Sequence, residues 1–392
     1  MYSSVKRTVR PLHSILLLMV VAATLTVRVI LQQNGSFQPN NGSPPDKISQ
    51  KPIFNATLLK YASLDIGEPK LRQEIGELLE GNFRNRGRQI SVLSSGKYRT
   101  DARVRSARGV PLQLRSPEFH QLWLSFRRHL GDWSRNRRFN SNAMLHLVNE
   151  IKGVIDKYNG ISEIVGKKYR SCAVVGNSGI LVKTDYGKLI DSHEAVIRLN
   201  NARIASFEQF VGSRTSISFV NSNILHLCAR REGCFCHPYG QNVPMVMYIC
   251  QPAHFLDYLV CNSSHKAPLI ITEPRFDVLC ARIVKYYSLK RFVESTGKDI
   301  GEWAPAHEGS NFHYSSGMQA VMLALGICEK VSIFGFGKSN LARHHYHTNQ
   351  KAELSLHDYE AEYDFYQELI EKSDAIPFIS DKFKFPPTVM YH

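Results

Sequence analysis

No cysteine occurs in the first 171 residues of this 392-residue chain, yet eight lie from Cys172 onward. An even number confined to one region suits disulfides formed in an oxidising compartment. No C-x-x-C pair is present, and the tightest spacing is Cys234 with Cys236. His226, Cys228 and His237 stand nearby, but structural zinc sites use other spacings, so bridges are the expectation and a metal is not. No G-x-G-x-x-G follows a strand and no acid closes the second strand, which argues against a dinucleotide oxidoreductase. H-E-x-x-H is also missing, and with it the usual helical zinc-hydrolase pattern. No internal repeat is visible.

Acidic residues are the scarcer sign, 34 against 49 Lys and Arg, for a formal charge of +15. Such an excess favours nucleic acid, a membrane surface or an anionic small molecule as partner. It concentrates between Arg84 and Arg138, where 14 basic residues meet only Asp101, Glu118 and Asp132. Few apolar runs interrupt that stretch, so it reads as a solvated arm and not as a nucleic-acid groove. Packing on a membrane or on another enzyme is the weaker reading.

Long apolar runs are scarce too. One extends from Ile15 to Val27, and past Arg28 to Leu31, behind Lys6, Arg7 and Arg10. Spanning ~30 Å of hydrocarbon takes roughly 17–20 residues, so this run is short and Arg28 has to snorkel. The basic flank predicts a cytosolic tail over 1–10 and a transmembrane signal-anchor over 11–31. A cleaved signal peptide is the rival, but no clean small-x-small site comes after the run. Either way the rest enters the lumen, and a short span suits an early secretory membrane such as the Golgi. The sequons at Asn34, Asn41, Asn55 and Asn262 agree with that compartment.

Residues 32–112 read as a largely irregular stem, with modest helical periodicity over 55–80. Residues 113–160 form a helical lead-in, with candidates at Glu118–Leu130 and Ala143–Tyr158. From 161 to 392 the pattern changes. Short apolar runs at 172–175, 195–199, 216–220, 245–249, 269–271 and 331–334 alternate with helical stretches. This predicts an α/β fold, a Rossmann-like, mainly parallel sheet with helices on both faces. Ligands in such sheets sit beyond the C-terminal strand ends, at the switch in strand order.

The residues just past each strand are therefore informative. Gly176-Asn177-Ser178-Gly179 comes after the first, and Asn200 closes the second. Two asparagines at adjacent strand ends suit recognition of a nucleoside, and equally suit turn capping. Tyr314-Ser315-Ser316-Gly317 opens an apolar helix whose N-terminus is either an anion site or a plain cap. Gly335-Phe336-Gly337 comes after the last apolar strand, and His344, His345, His347 and His357 lie beyond it. Histidine suits proton transfer near neutral pH, while a solvated His-rich loop and a metal cluster are the other readings.

In this order the segments resemble the four motifs of the eukaryotic sialyltransferases, glycosyltransferase family 29. Cys172–Gly179 through Asn200 and Thr215 resembles the large motif, and Ser315–Cys328 with Phe334–Gly337 the small one. His345-Tyr346 resembles the third motif and His357-x4-Glu362 the very small one. The first 160 residues carry no such signature, but the basic stem is similar to the plant branch, which includes arabinogalactan galactosyltransferases. The resemblance implies a variant GT-A fold and a nucleotide-sugar donor bound by Asn177, Asn200, Ser315, Gly317 and Gly337. It also implies His345 on the leaving phosphate, His357 as general base, inversion, and a Cys172–Cys328 disulfide. The implied acceptor is a glycan or glycoprotein, with a complex of glycosyltransferases as a further expected partner.

No D-x-D occurs, so the carboxylate pair that commonly holds a cation on a diphosphate is missing and no metal is expected. That places a CMP-linked, sialic acid-like donor first, with UDP-galactose as the alternative and a non-catalytic scaffold as a second. Two departures bear on the choice: Tyr314 replaces the family's Pro in Pro-Ser-Thr-Gly, and His313 stands where many members have Tyr.

Overall fold

The computed structural model describes residues 54–85, 88–91, 104–105, 111–112, 117–161, 166–225, 236–337, 339, 342–348, 357–371 and 376–392. The expected anchor at 11–31, the sequons Asn34 and Asn41, and Cys228 with Cys234 lie outside these residues. No helix among the described residues is long and apolar enough to cross a membrane.

Seven strands make the central sheet: β1 (Cys172–Val175), β2 (Ala195–Leu199), β3 (Ile217–Asn221), β4 (Met245–Tyr248), β5 (Leu269–Ile271), β6 (Val331–Phe334) and β7 (Thr388–Tyr391). Their order is β7-β6-β1-β2-β3-β4-β5, and every neighbouring pair is parallel. The chain steps from β1 to β5 in one direction, then returns to lay β6 and β7 on the other side of β1. Strand order thus reverses between β1 and β6, and a crevice opens beyond their C-terminal ends.

The apolar runs become strands because helices cover both faces. Every residue of β1, β2, β4 and β6 is buried, as parallel strands require. Side chains alternate between the faces. Cys172, Val174, Ile197 and Phe219 pack with the helices α6 (Pro274–Thr296) and α7 (Ser316–Ile327). Ala173, Val175, Val196 and Phe334 pack on the opposite face with Leu181 and Val211. Further along that face, Val220, Met245 and Met247 meet Trp123, Phe126 and Leu130 of α3 (Pro117–Asn136).

Part of the expected stem is folded. The periodicity over 55–80 resolves into α1 (Ala56–Ser63) and α2 (Glu68–Leu79). Their apolar stripes find partners: Leu58 and Ala62 join the core with Tyr286 of α6, and Ile75 and Leu78 join Trp123 and Phe126. Asn55 caps α1 through Oδ1, which accepts from the N–H groups of Thr57 and Leu58 at 2.9 and 3.1 Å. Short antiparallel pairs at 82–85 with 88–91 and 104–105 with 111–112 lie in the basic stretch read as irregular.

Other boundaries moved by packing. Helix α3 runs on past Leu130 to Asn136 because Trp133 is buried in its last turn. The helix expected over 143–158 is split into α4 (Ala143–Leu147), a π turn at Val148–Lys152, and a final segment at Gly153–Tyr158. Strand β7 went unread, since Thr388–Tyr391 is a half-buried edge with no continuous apolar run.

Cys172 and Cys328, both fully buried, form a disulfide joining the start of β1 to the end of α7. Cys236 pairs with Cys261, while Cys250 and Cys280 remain thiols. The Cys236 sulfur is therefore committed to a bridge and not to a metal.

Candidate active site

A cleft at the C-terminal ends of β1, β2, β3 and β6 gathers residues from every segment singled out above. Asn177, Asn200, Ser315, Gly317, Gly337, His345 and His357 all line it, and the structure separates none of the candidates from the rest. Close backbone approach shapes the floor. A Cβ on Gly176 would lie 2.5 Å from the Gly335 carbonyl, so the β1 and β6 turns meet only because glycine stands there. A Cβ on Gly317 would lie 2.7 Å from the Phe336 ring, which fits that ring against the first turn of α7.

The three asparagines divide their tasks. The Asn177 carbonyl accepts from the Tyr346 N–H at 2.9 Å, and its Oδ1, on the cleft wall, is buried without a hydrogen-bond partner among the described residues. A buried acceptor with no donor is expensive to leave, so a ligand donor fits there. Asn200 adopts a left-handed φ of 52° at the end of β2, a conformation asparagine tolerates better than most residues. Its Oδ1 accepts from the Asn221 N–H at 3.1 Å, and its Nδ2 donates to Ser316 Oγ at 3.3 Å. Asn221 Nδ2 donates to the same Ser316 Oγ at 2.7 Å. Asn221 was missed in the sequence, although it closes β3 as Asn200 closes β2, and that strand-end position was the available signal.

Helix α7 aims its N-terminus at the cleft. Ser315 is the N-cap, its Oγ accepting from the Met318 N–H at 3.1 Å. The first-turn N–H groups of Ser316 and Gly317, which a helix leaves without intrahelical partners, border the cleft and favour an anion. Beneath them Glu362, on α8 (Tyr359–Glu371), accepts from the Ser315 N–H at 2.6 Å and from Ser315 Oγ at 2.5 Å. Glu362 is 1% exposed, and burial pushes its carboxyl up to about 7 despite those donors.

The histidines split into two groups. His357 Nδ1 lies 2.8 Å from the His313 carbonyl, so it carries the proton and donates it there. Nε2 is then the unprotonated, basic nitrogen. Burial holds the His357 pKa below the usual range, the His313 bond and the nearby His344 acting more weakly in opposite senses. His345 stacks between His344 at 4.5 Å and His347 at 5.6 Å. Burial, then those two neighbours, bring its pKa down to about 4. His345 is thus held in its neutral form near neutral pH. Among the described residues, no group of three His, Cys, Asp or Glu side chains is placed to hold a metal ion.

The two departures from the resembled pattern sit behind the cleft. Tyr314 does not line the cleft: it is 3% exposed and packs on Tyr248 in the core, its ring centroid 5.5 Å away. His313 stacks on Tyr248 at 5.7 Å, gives its carbonyl to His357 and meets the His357 ring edge-on at 6.3 Å. Both therefore shape the support of Ser316 and His357, and neither borders the cleft. Of the remaining sequons, Asn55 and Asn262 are both exposed.

Comparison with known proteins shows the family of the chain. Residues 117–373 match the profile of glycosyltransferase family 29 (sialyltransferase). The chain is 52% identical to beta-1,6-galactosyltransferase GALT29A of Arabidopsis thaliana, over 99% of this chain and 100% of that one. It is 44% identical to sialyltransferase-like protein 1 of Oryza sativa subsp. japonica, again over 99% and 100%. A mouse (Mus musculus) enzyme, CMP-N-acetylneuraminate-beta-galactosamide-alpha-2,3-sialyltransferase 2, is 30% identical over 46% of this chain and 47% of its own. A mammalian sialyltransferase crystal structure aligns to 70% of this chain and 88% of its own, at 23% identity and a TM-score of 0.36.

Proposed function

Because the chain belongs to glycosyltransferase family 29, we propose that it is an inverting galactosyltransferase, moving galactose from a nucleotide-linked donor to a galactose-containing glycan. The carrying observation is the His313 carbonyl that fixes the His357 tautomer at 2.8 Å, beside the free N-terminus of α7. His357 Nε2 takes the proton from an acceptor hydroxyl as its oxygen bonds to the anomeric carbon. The bond to the nucleotide phosphate breaks on the opposite face, so the configuration inverts. General-base help of this kind is worth roughly 10²–10⁴ in rate. The depressed pKa keeps His357 unprotonated near neutral pH, as a base must be.

Charge on the departing phosphate is met by the Ser316 and Gly317 N–H groups and by His345. With no D-x-D in the sequence, this reading assigns the task to the helix and the imidazole and not to a cation. Asn177 Oδ1 and the Asn200–Asn221 pair are assigned to the nucleoside.

Galactose is placed ahead of a sialic acid-like sugar because a relative matching both chains end to end is named a galactosyltransferase. The second reading, a CMP-linked donor, draws on the missing D-x-D and on the mouse sialyltransferase. A Golgi membrane location with the cleft lumenal completes the proposal, resting on the apolar run at 15–27 and the four sequons. The test is a panel of UDP- and CMP-sugars with EDTA present. UDP-galactose turnover supports the first reading, CMP-sugar turnover supports the second, and dependence on an added cation refutes the assignment to helix and imidazole.

A further inference from the structure

A second cavity, of about 410 Å³, lies at the C-terminal end of β5 on the same sheet edge. Its walls come from the last turns of α3, from the π turn, and from the β5–α6 junction. Trp133, Phe255 and Ile151 supply apolar surface, and Asp132, Glu150 and Glu273 supply carboxylates.

These groups are unequally satisfied. Glu273 accepts from the Arg275 N–H at 3.0 Å and from its Nε at 2.5 Å, which commits the one guanidinium in the cavity. Asp132 is paired with Arg135. Glu150 has no hydrogen bond among the described residues, and burial followed by the nearby Glu273 raises its pKa. Trp133 is 6% exposed, and its indole N–H is buried without a hydrogen-bond partner among the described residues. Glu150 sits on the π turn, a costly local geometry that recurs at functional sites. One unpaired acceptor and one unpaired donor therefore share a cavity with two aromatic rings.

We propose that this cavity is a second sugar subsite, holding a neutral pyranose of the acceptor glycan away from the residue being modified. The inference rests on the glycan-acceptor reading above. Asp132, Glu150 and Glu273 against the guanidinium groups of Arg135 and Arg275 leave one carboxylate in excess, which disfavours a nucleotide phosphate. A pyranose instead offers hydroxyls to Glu150 and the Trp133 N–H, and its C–H groups to the apolar lining. Strand β5 is two places from β3, whose Asn221 lines the catalytic cleft. At ~4.8 Å per strand the gap is ~10 Å, a reach for an oligosaccharide and not for one sugar.

The test titrates a β-linked galactan oligosaccharide into the full-length protein with no donor present, comparing wild type with Glu150→Gln and Trp133→Phe. Glu150→Gln keeps the shape of the side chain while removing the charge, and Trp133→Phe keeps an aromatic ring while removing the N–H. Binding is expected to weaken about tenfold in each variant, the loss of one strong hydrogen bond. Turnover of a short disaccharide acceptor should stay at wild-type values in both variants, while the thermal midpoint should hold in Glu150→Gln and fall in Trp133→Phe, where the smaller ring leaves a void at a 6% exposed position. Wild-type oligosaccharide affinity in both variants overturns the proposal, as does a cavity that takes up an organic amine and no oligosaccharide. Because no donor enters the titration, failure of galactosyl transfer in the donor panel leaves this result readable by itself.

Discussion

Replacing Glu362 with alanine removes the acceptor of the buried Ser315 N–H, and with it the clamp on the N-terminus of α7. Two hydrogen bonds to a charged acceptor are worth roughly 1.5–3 kcal/mol each, and a stranded buried donor costs about 1–3 kcal/mol. Relief of the buried carboxylate offsets part of this, so Glu362→Ala should destabilise by about 2–4 kcal/mol. The cap from Ser315 to Met318 survives, so the helix stays formed while its first turn loosens. Glu362→Gln keeps an acceptor for the N–H and should cost about 1 kcal/mol.

The pH dependence separates the two variants from a mere packing defect. The folded pKa of about 7 lies above the ordinary value of 4.5. An acid raised in this way contributes stability fully present below pH 4.5 and lost as pH rises through 7. The wild type should therefore lose up to about 1.4 kcal/mol per pH unit across that window from this one group. Glu362→Gln should lack that share and keep the similar share of Asp277, which burial also raises to about 7. Urea unfolding of the protein at about pH 5, 6 and 7.5, spanning the window, reads the difference. An alanine variant with wild-type midpoint, or a glutamine variant with unchanged pH slope, refutes the reasoning.

Three further outcomes come from named contacts. Gly317→Ala places a Cβ 2.7 Å from the Phe336 ring and should weaken nucleotide binding while costing about 1–3 kcal/mol, read by titration and thermal melts. His345 begins near 4 and gains a phosphate neighbour on binding, so nucleoside monophosphate should bind tighter as pH falls from about 7 to 5. That slope should vanish in His345→Asn. Removing the Cys172–Cys328 bridge, which closes 156 residues, should cost up to about 5 kcal/mol in chemical denaturation.

Much of the sheet was legible because parallel strands buried on both faces are mostly apolar, and the first six strands are interrupted only at Arg198, Ser218, Asn221 and Ser332. Asn177 and Asn200 were legible for a related reason: parallel topology sends every strand end to one edge, so the residues after successive strands meet, while Ser315 was legible as the hydroxyl opening an apolar helix. Residues whose task depends on distant partners were not legible. Asn221 matters through Ser316, 95 positions away, and Glu362 through Ser315, 47 positions away. His313 acts by its carbonyl, which no side-chain pattern announces. Helices α1 and α2 were visible as periodicity, but only packing against Tyr286 and Trp123 shows that they belong to the folded body. The bridge from Cys236 to Cys261 left no mark in spacing.

Stereochemistry with and without the base tests the central claim most directly. Nuclear magnetic resonance of the first product formed by the wild type, beside single-turnover rates for His357→Ala and His357→Gln, reads both parts of it. The expected result is an inverted anomeric centre and a rate reduced by roughly 10²–10⁴ in both variants, with donor binding kept. A retained configuration, or near-normal turnover without the His357 imidazole, would contradict the account.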